Sequence, residues 1–228
     1  MTEIRLDWGR GARTGVPEAI YCEGKEADQI EEILDQADQR QASLLLTRLS
    51  VQKHRLLAPR PLLDFDPRSR TAILDHGLPP PKDIGAAVVA AGTSDAGIAL
   101  EAARTLRFAG IEAPTHIDVG VAGLWRTTDA AAALQDRRVI IACAGFEAAL
   151  FSVLAGLVPA PVIAVPTSVG TGVAEGGRAA LTSALASCAP GVLTVNIDNG
   201  FGAACAAIKI LRMLGAKAPS TTDRGETP

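Results

Sequence analysis

From residue 86 onward, five short apolar runs alternate with alanine-rich stretches of helical character: Ala86–Ala91, Thr115–Val119, Val139–Ala144, Val162–Pro166 and Val192–Asn196. Helices are expected over Ala96–Ala109, Thr128–Gln135, Glu147–Leu157, Gly177–Ala186 and Ala203–Leu214. A run that is apolar throughout, with no polar alternation, has to be buried on both faces. A single helix between consecutive runs returns the chain to the starting edge of one sheet. The pattern therefore predicts an α/β fold, a doubly wound parallel sheet in three layers.

A different organisation precedes it. Ala27–Gln39 carries Ile30, Ile33 and Leu34 at helical spacing, Leu44–Leu46 reads as a short buried strand, and Leu62–Leu74 reads as two strands around Asp66-Pro67-Arg68-Ser69. This is a small α+β domain over 1–80. Leu78-Pro79-Pro80-Pro81-Lys82-Asp83 can continue neither a helix nor a central strand, which places the boundary there. The α/β domain then spans 81–216. The polar stretch 217–228, with Ser220-Thr221-Thr222-Asp223-Arg224-Gly225, is expected to be a disordered tail.

Charge and composition narrow the functional classes. The chain has 228 residues, 48% of them hydrophobic, a formal net charge of −3 and no Lys/Arg block, so neither nucleic acid nor an anionic membrane is expected as a partner. No basic-then-apolar leader and no window of roughly 18 uninterrupted apolar residues is present, and a cytoplasmic location is expected. Four cysteines and three histidines are too scattered to form a zinc site, and the cysteines are expected as free thiols.

Ligands of doubly wound sheets bind beyond the carboxyl ends of the strands. The segments there are rich in glycine and small polar residues: Gly92-Thr93-Ser94-Asp95, Gly120 to Arg126, and Thr167-Ser168-Val169-Gly170-Thr171-Gly172. Such loops let backbone N–H groups approach an anion, and they suggest a phosphorylated ligand. Thr93 to Asp95 would also suffice as a simple helix cap, and Arg126 is either a surface charge or a bidentate clamp for a carboxylate or phosphate. The polar run Asn196-Ile197-Asp198-Asn199-Gly200 suits a loop that grips a polar ligand. Cys143 in a strand and Cys205 on a helix are assigned to packing. Cys188, in Ser187-Cys188-Ala189-Pro190-Gly191, lies in the same third of the chain as these binding groups, yet it precedes the last strand and so belongs topologically to the opposite edge.

Several of these segments, in this order, resemble the LarB family: Ala91 to Asp95, Asp118 to Leu124, Ala144-Gly145-Phe146-Glu147, Pro161 to Gly170, and Ser187 to Gly191 followed by Asn196 to Ala203. Arg13 to Glu18 and Glu23-Gly24-Lys25 fit the same family, and the likeness runs from about Arg13 to about Leu214. The family comprises pyridinium-3,5-biscarboxylic acid mononucleotide synthases of nickel-pincer cofactor biosynthesis. The resemblance implies a PurE-like, flavodoxin-like catalytic domain in a homo-oligomer with sites at subunit contacts. It also implies nicotinic acid adenine dinucleotide as substrate, carbon dioxide or bicarbonate as co-substrate, and Mg2+ as cofactor.

The implied reaction gives the candidates their roles. Cys188 becomes the nucleophile that adds to the pyridinium ring, and Glu147 the proton acceptor. Gly92, Thr93, Ser94, Asp95, Thr167, Ser168 and Gly170 would hold phosphates, with Arg126 beside them. Asn196, Asp198 and Asn199 would orient the substrate or a magnesium ion. Trp125 stands where relatives usually carry a histidine, a departure from the family pattern. Two alternatives remain at this stage: a PurE-type aminoimidazole ribonucleotide carboxylase or mutase, and a non-catalytic nucleotide-binding protein.

Overall fold

The computed structural model describes residues 4–215, so the expected tail over 217–228 lies outside the described residues. The N-terminal elements are α1 (Arg10–Thr14), β1 (Ala19–Tyr21), α2 (Ala27–Arg40), β2 (Leu44–Thr47), α3 (Val51–His54), β3 (Leu63–Asp66) and β4 (Thr71–Leu74). The remainder comprises β5 (Lys82–Asp83), β6 (Ala86–Ala90), α4 (Ala96–Phe108), β7 (Ile111–Glu112), β8 (Thr115–Ile117), α5 (Leu124–Ala133), β9 (Val139–Ala144), α6 (Leu150–Ala155), β10 (Val162–Pro166), α7 (Arg178–Leu185), β11 (Val192–Thr194) and α8 (Gly200–Gly215).

In the N-terminal sheet the order is β1-β2-β4-β3, with β1 parallel to β2 and the other pairings antiparallel. Helix α2 covers it, burying Ile30, Ile33, Leu34 and Ala37 against Leu44, Leu46 and Leu74. Strand β1 is absent from the sequence reading because its three residues are too few to show a period.

The five apolar runs form one parallel sheet in the order β11-β10-β9-β6-β8. Alternate residues of its central strands feed opposite cores. Val88, Ala90, Val139, Ile141, Ile163 and Val165 meet α4 and α8 on one face, while Val89, Ile140, Ala142, Val162 and Ala164 meet α5, α6 and α7 on the other. Alanine-rich helices suit this arrangement because small side chains let helix backbones come close. Gly200 marks the tightest approach, where an added Cβ would strike the Ile98 carbonyl of α4. The expected α/β class is therefore the observed one.

Three helix starts differ from expectation, α8 beginning at Gly200 instead of Ala203 because Asn199 caps it. Helix α5 begins at Leu124, not at Thr128, because the glycine-rich loop before it closes into a 3-10 turn at Val121–Gly123 that leads straight into the helix. Helix α6 begins at Leu150 instead of Glu147, because Phe146 and Ala148 adopt left-handed φ of 52° and 50°, which no α-helix accommodates. Glu147 is therefore a loop residue.

Candidate active site

Strand order makes β6 and β9 neighbours whose chain connections leave in opposite directions, which is the switch point of a doubly wound sheet. A cavity of about 280 Å³ opens there. Its walls are the loops after β6 (Gly92, Ser94, Asp95), after β8 (Gly120 to Ala122) and after β9 (Gly145 to Glu147). The structure thus brings Gly92, Ser94, Asp95 and Glu147 together around one space, with exposed Thr93 on the same turn.

Asp95 acts inside this arrangement as a latch. Its carboxylate accepts the Thr167 hydroxyl at 2.5 Å and the Gly92 N–H at 2.9 Å, and a further hydrogen bond comes from the Gly145 backbone. Burial pushes its pKa above the ordinary carboxylate value, and those donors oppose the shift. The residue ties the loops after β6, β9 and β10 into one rigid floor. Thr167 is fully buried in this role and has no exposed hydroxyl for a ligand.

Glycine at 145 follows from the same crowding. An added Cβ there would collide with the Val169 carbonyl and the Thr167 hydroxyl, so any side chain would break the floor. The Phe146 N–H donates to the Val169 carbonyl at 2.7 Å and holds the β9 loop in its left-handed turn. That turn presents the exposed Glu147 carboxylate at the cavity wall.

The Asn196–Asn199 segment is largely occupied with its own backbone. Asn199 Oδ1 accepts the Gly202 N–H at 2.8 Å and caps α8, Asn196 Oδ1 accepts the Ile197 N–H at 2.9 Å, and Asp198 Oδ1 accepts the Ser168 N–H at 2.8 Å. These oxygens do not fit a dedicated magnesium cage. Among the described residues no group of three His, Cys, Asp or Glu side chains could hold a metal ion. Gly170 makes a close approach to the Ala174 carbonyl and shapes the β10 loop. Arg126 pairs with Asp118 at 2.5 Å, and Trp125 beside it is exposed.

Cys188 is not brought to this cavity within one chain. It sits just before β11, where the Gly191 carbonyl accepts the Val162 N–H at the start of β10, so it lies at the amino edge of the sheet while the cavity lies at the carboxyl edge. The amino edge is the one which chain order alone assigns to it: it shares a stretch of sequence with the binding groups but is separated from them by the length of a strand. Cys188 is nevertheless the exposed thiol among the described cysteines. Burial pushes Cys22 up to about 12 and Cys205 up to about 11, and it raises Cys143 well above the ordinary thiol value. Those three are held as protonated packing groups.

Sequence reasoning missed Glu101 and the arginines facing it. Glu101, on α4, is buried, and burial pushes its pKa to about 7 against the opposing pull of Arg48, whose Nε lies 3.5 Å from Oε1. A lone acid between Ala99 and Ala102 on a core-facing stretch was the available signal.

A three-layer domain with a switch-point cavity is the architecture of a PurE-related carboxylase, and residues 86–224 match the AIR carboxylase family. Residues 1–76 match the LarB/PurE-like N-terminal domain family, and with both domains in this order the chain belongs to the LarB family. An uncharacterized protein of Methanocaldococcus jannaschii, MJ0165, is 38% identical over 209 residues, spanning 88% of this chain and 80% of its own.

Proposed function

We propose that this protein carboxylates the pyridinium ring of nicotinic acid adenine dinucleotide and cleaves its phosphoanhydride, releasing AMP and pyridinium-3,5-biscarboxylic acid mononucleotide. The observation that carries this reading is the cavity at the switch point, which gathers an anion-friendly turn at Gly92–Asp95 and a free carboxylate at Glu147 in a chain of the LarB family. A pyridinium carbon is electrophilic and cannot attack carbon dioxide. Addition of the Cys188 thiolate para to the ring nitrogen gives a dihydropyridine whose adjacent carbon is nucleophilic, and that carbon attacks carbon dioxide. Glu147 removes the ring proton from the carboxylated carbon. Expulsion of the thiolate then restores the aromatic ring, so the net change is one C–H replaced by a carboxylate with loss of a proton. Water cleaves the phosphoanhydride separately.

Cys188 reaches the ring from a second copy of the chain in this reading, since its own chain holds it at the other sheet edge. Magnesium enters as a counter-ion carried on the substrate phosphates, and no step is routed through it. No helix among the described residues is long and apolar enough to cross a membrane, which is compatible with a cytoplasmic enzyme of a small-molecule substrate.

Incubation with the dinucleotide, bicarbonate and magnesium, followed by mass spectrometry, tests the proposal. AMP and a doubly carboxylated mononucleotide are the expected products, and unchanged dinucleotide sinks it. The AIR carboxylase match keeps one competitor in view, and aminoimidazole ribonucleotide is the parallel substrate. It should not react on this reading, and its conversion would instead support the PurE-type alternative.

A further inference from the structure

A second cleft, of about 260 Å³, lies between the N-terminal unit and the carboxyl ends of the large sheet. Arg48, Arg68 and Arg70 line it from the N-terminal side, and Ser94, Ser168 and Asp198 from the other. Ser94 and Val169 belong to its wall and to that of the switch-point cavity, so the two spaces adjoin. Neither alone reaches the roughly 300–1,000 Å³ usual for a ligand of dinucleotide size, and together they do.

The cations are held in place by the fold. Arg48 and Arg70 are both in the left-handed region, at φ 56° and 55°, and the Leu49 N–H donates to the Arg70 carbonyl at 2.8 Å. Backbone held this way is strained, a feature that concentrates at ligand sites. Arg48 donates to the Asp198 carbonyl and faces Glu101, whose side chain is only 3% exposed and whose Oε2 has no partner. Glu101 is a positioning residue for Arg48. Arg70 lies 3.5 Å from Glu23 at the rim, while exposed Arg68 has no acidic partner among the described residues. An unpaired guanidinium beside two anchored ones and two exposed serines is chemistry for a phosphate.

We infer that this cleft is a second anion subsite, in which Arg68 and Arg70 of the N-terminal unit take the distal phosphate of a dinucleotide whose ring end occupies the switch-point cavity. The inference rests on the proposed substrate for the identity of the ligand, but not for the existence of the site. The N-terminal unit thereby selects dinucleotide over mononucleotide.

Calorimetric titration with inorganic pyrophosphate tests the site without any turnover. Arg68→Glu, and the double change Arg68→Ala with Arg70→Ala, should weaken pyrophosphate by about tenfold or more, as loss of charge-assisted hydrogen bonds does. Arg55→Ala, an exposed arginine elsewhere in the same unit, is the charge control and should bind like the parent. Thermal melts confirm that each variant is folded, and exposed Arg68 makes its single change the safest. The same variants should lose that factor for nicotinic acid adenine dinucleotide and nothing for nicotinic acid mononucleotide, which lacks the second phosphate. Absence of pyrophosphate binding to the parent, an equal loss in Arg55→Ala, or equal losses for the two nucleotides overturns the subsite. Failure of the proposed reaction shows differently, as no carboxylated product from a parent that still binds pyrophosphate.

Discussion

At the scale of single residues, environment separates groups that look alike in sequence. Cys188 is exposed, whereas Cys22 and Cys143 are buried and Cys205 partly so, and burial makes all three thiols resist ionisation. Cys188→Ala should therefore abolish ring carboxylation with the melting temperature unchanged, and a dihydropyridine absorption band formed with the dinucleotide should vanish with it; carboxylation surviving in this variant would remove the thiol from the mechanism. Glu147 projects from a strained loop at the cavity wall, so Glu147→Gln should keep substrate binding and slow turnover by roughly 10²- to 10⁴-fold, the usual contribution of a general base. Turnover at the parent rate excludes that role. Glu101 makes a prediction about stability. Its folded pKa of about 7 lies above the ordinary glutamate value, so the unfolded chain ionises first as pH rises. The burial cost is absent below the ordinary value, grows as pH climbs toward 7, and is constant above it. Denaturant melts should show stability falling with pH over that window in the parent, and Glu101→Gln should flatten the fall; an identical slope in both proteins refutes it.

At the level of elements, α4 links the two sheets. Arg104 on this helix donates to Thr71 Oγ1 at 2.7 Å, to the Asp64 carboxylate at 2.9 Å and to the Asp64 carbonyl at 2.7 Å, so it clamps the β3–β4 hairpin. Leu45, Ile73 and Phe108 close an apolar contact beside it. Arg104→Ala should destabilise the protein by about 0.5–1.5 kcal/mol, because the bond to Thr71 is partly shielded while those to exposed Asp64 are screened by water. Because the hairpin turn carries Arg68 and Arg70, limited proteolysis should also cut there sooner. A variant with parental stability and cleavage rate would show that the clamp contributes nothing. The helices themselves were legible from alanine and leucine spacing, but the starts of α5 and α6 were not. The start of α6 is decided by a tight turn held by the bond from Phe146 to Val169 in the loop after β10, and that of α5 by the 3-10 turn at Val121–Gly123.

At the scale of the whole molecule, the separation of Cys188 from Glu147 across the sheet makes the proposed site depend on assembly. Mixing Cys188→Ala and Glu147→Gln subunits by co-expression should restore activity at about a quarter of sites, since each site then draws an intact carboxylate and an intact thiol from different chains. No recovery above the sum of the two variants would place both groups in one subunit. The parallel sheet is legible in the chain alone, because runs such as Val139–Ala144 are apolar at every position and admit burial only on both faces. Glycine and small polar residues after those runs, as in Gly92-Thr93-Ser94-Asp95, likewise mark the loops at the carboxyl edge. Which polar groups are free depends instead on contacts made across the fold. Asn196, Asp198 and Asn199 read as ligand-binding residues in one dimension, yet they spend oxygens on nearby N–H groups. Arg48 and Glu101, far apart in the chain, become partners because α4 carries one beneath the N-terminal sheet that carries the other. Spacing along a chain records local periods, whereas pairing across a cleft depends on how two sheets far apart in the chain pack together.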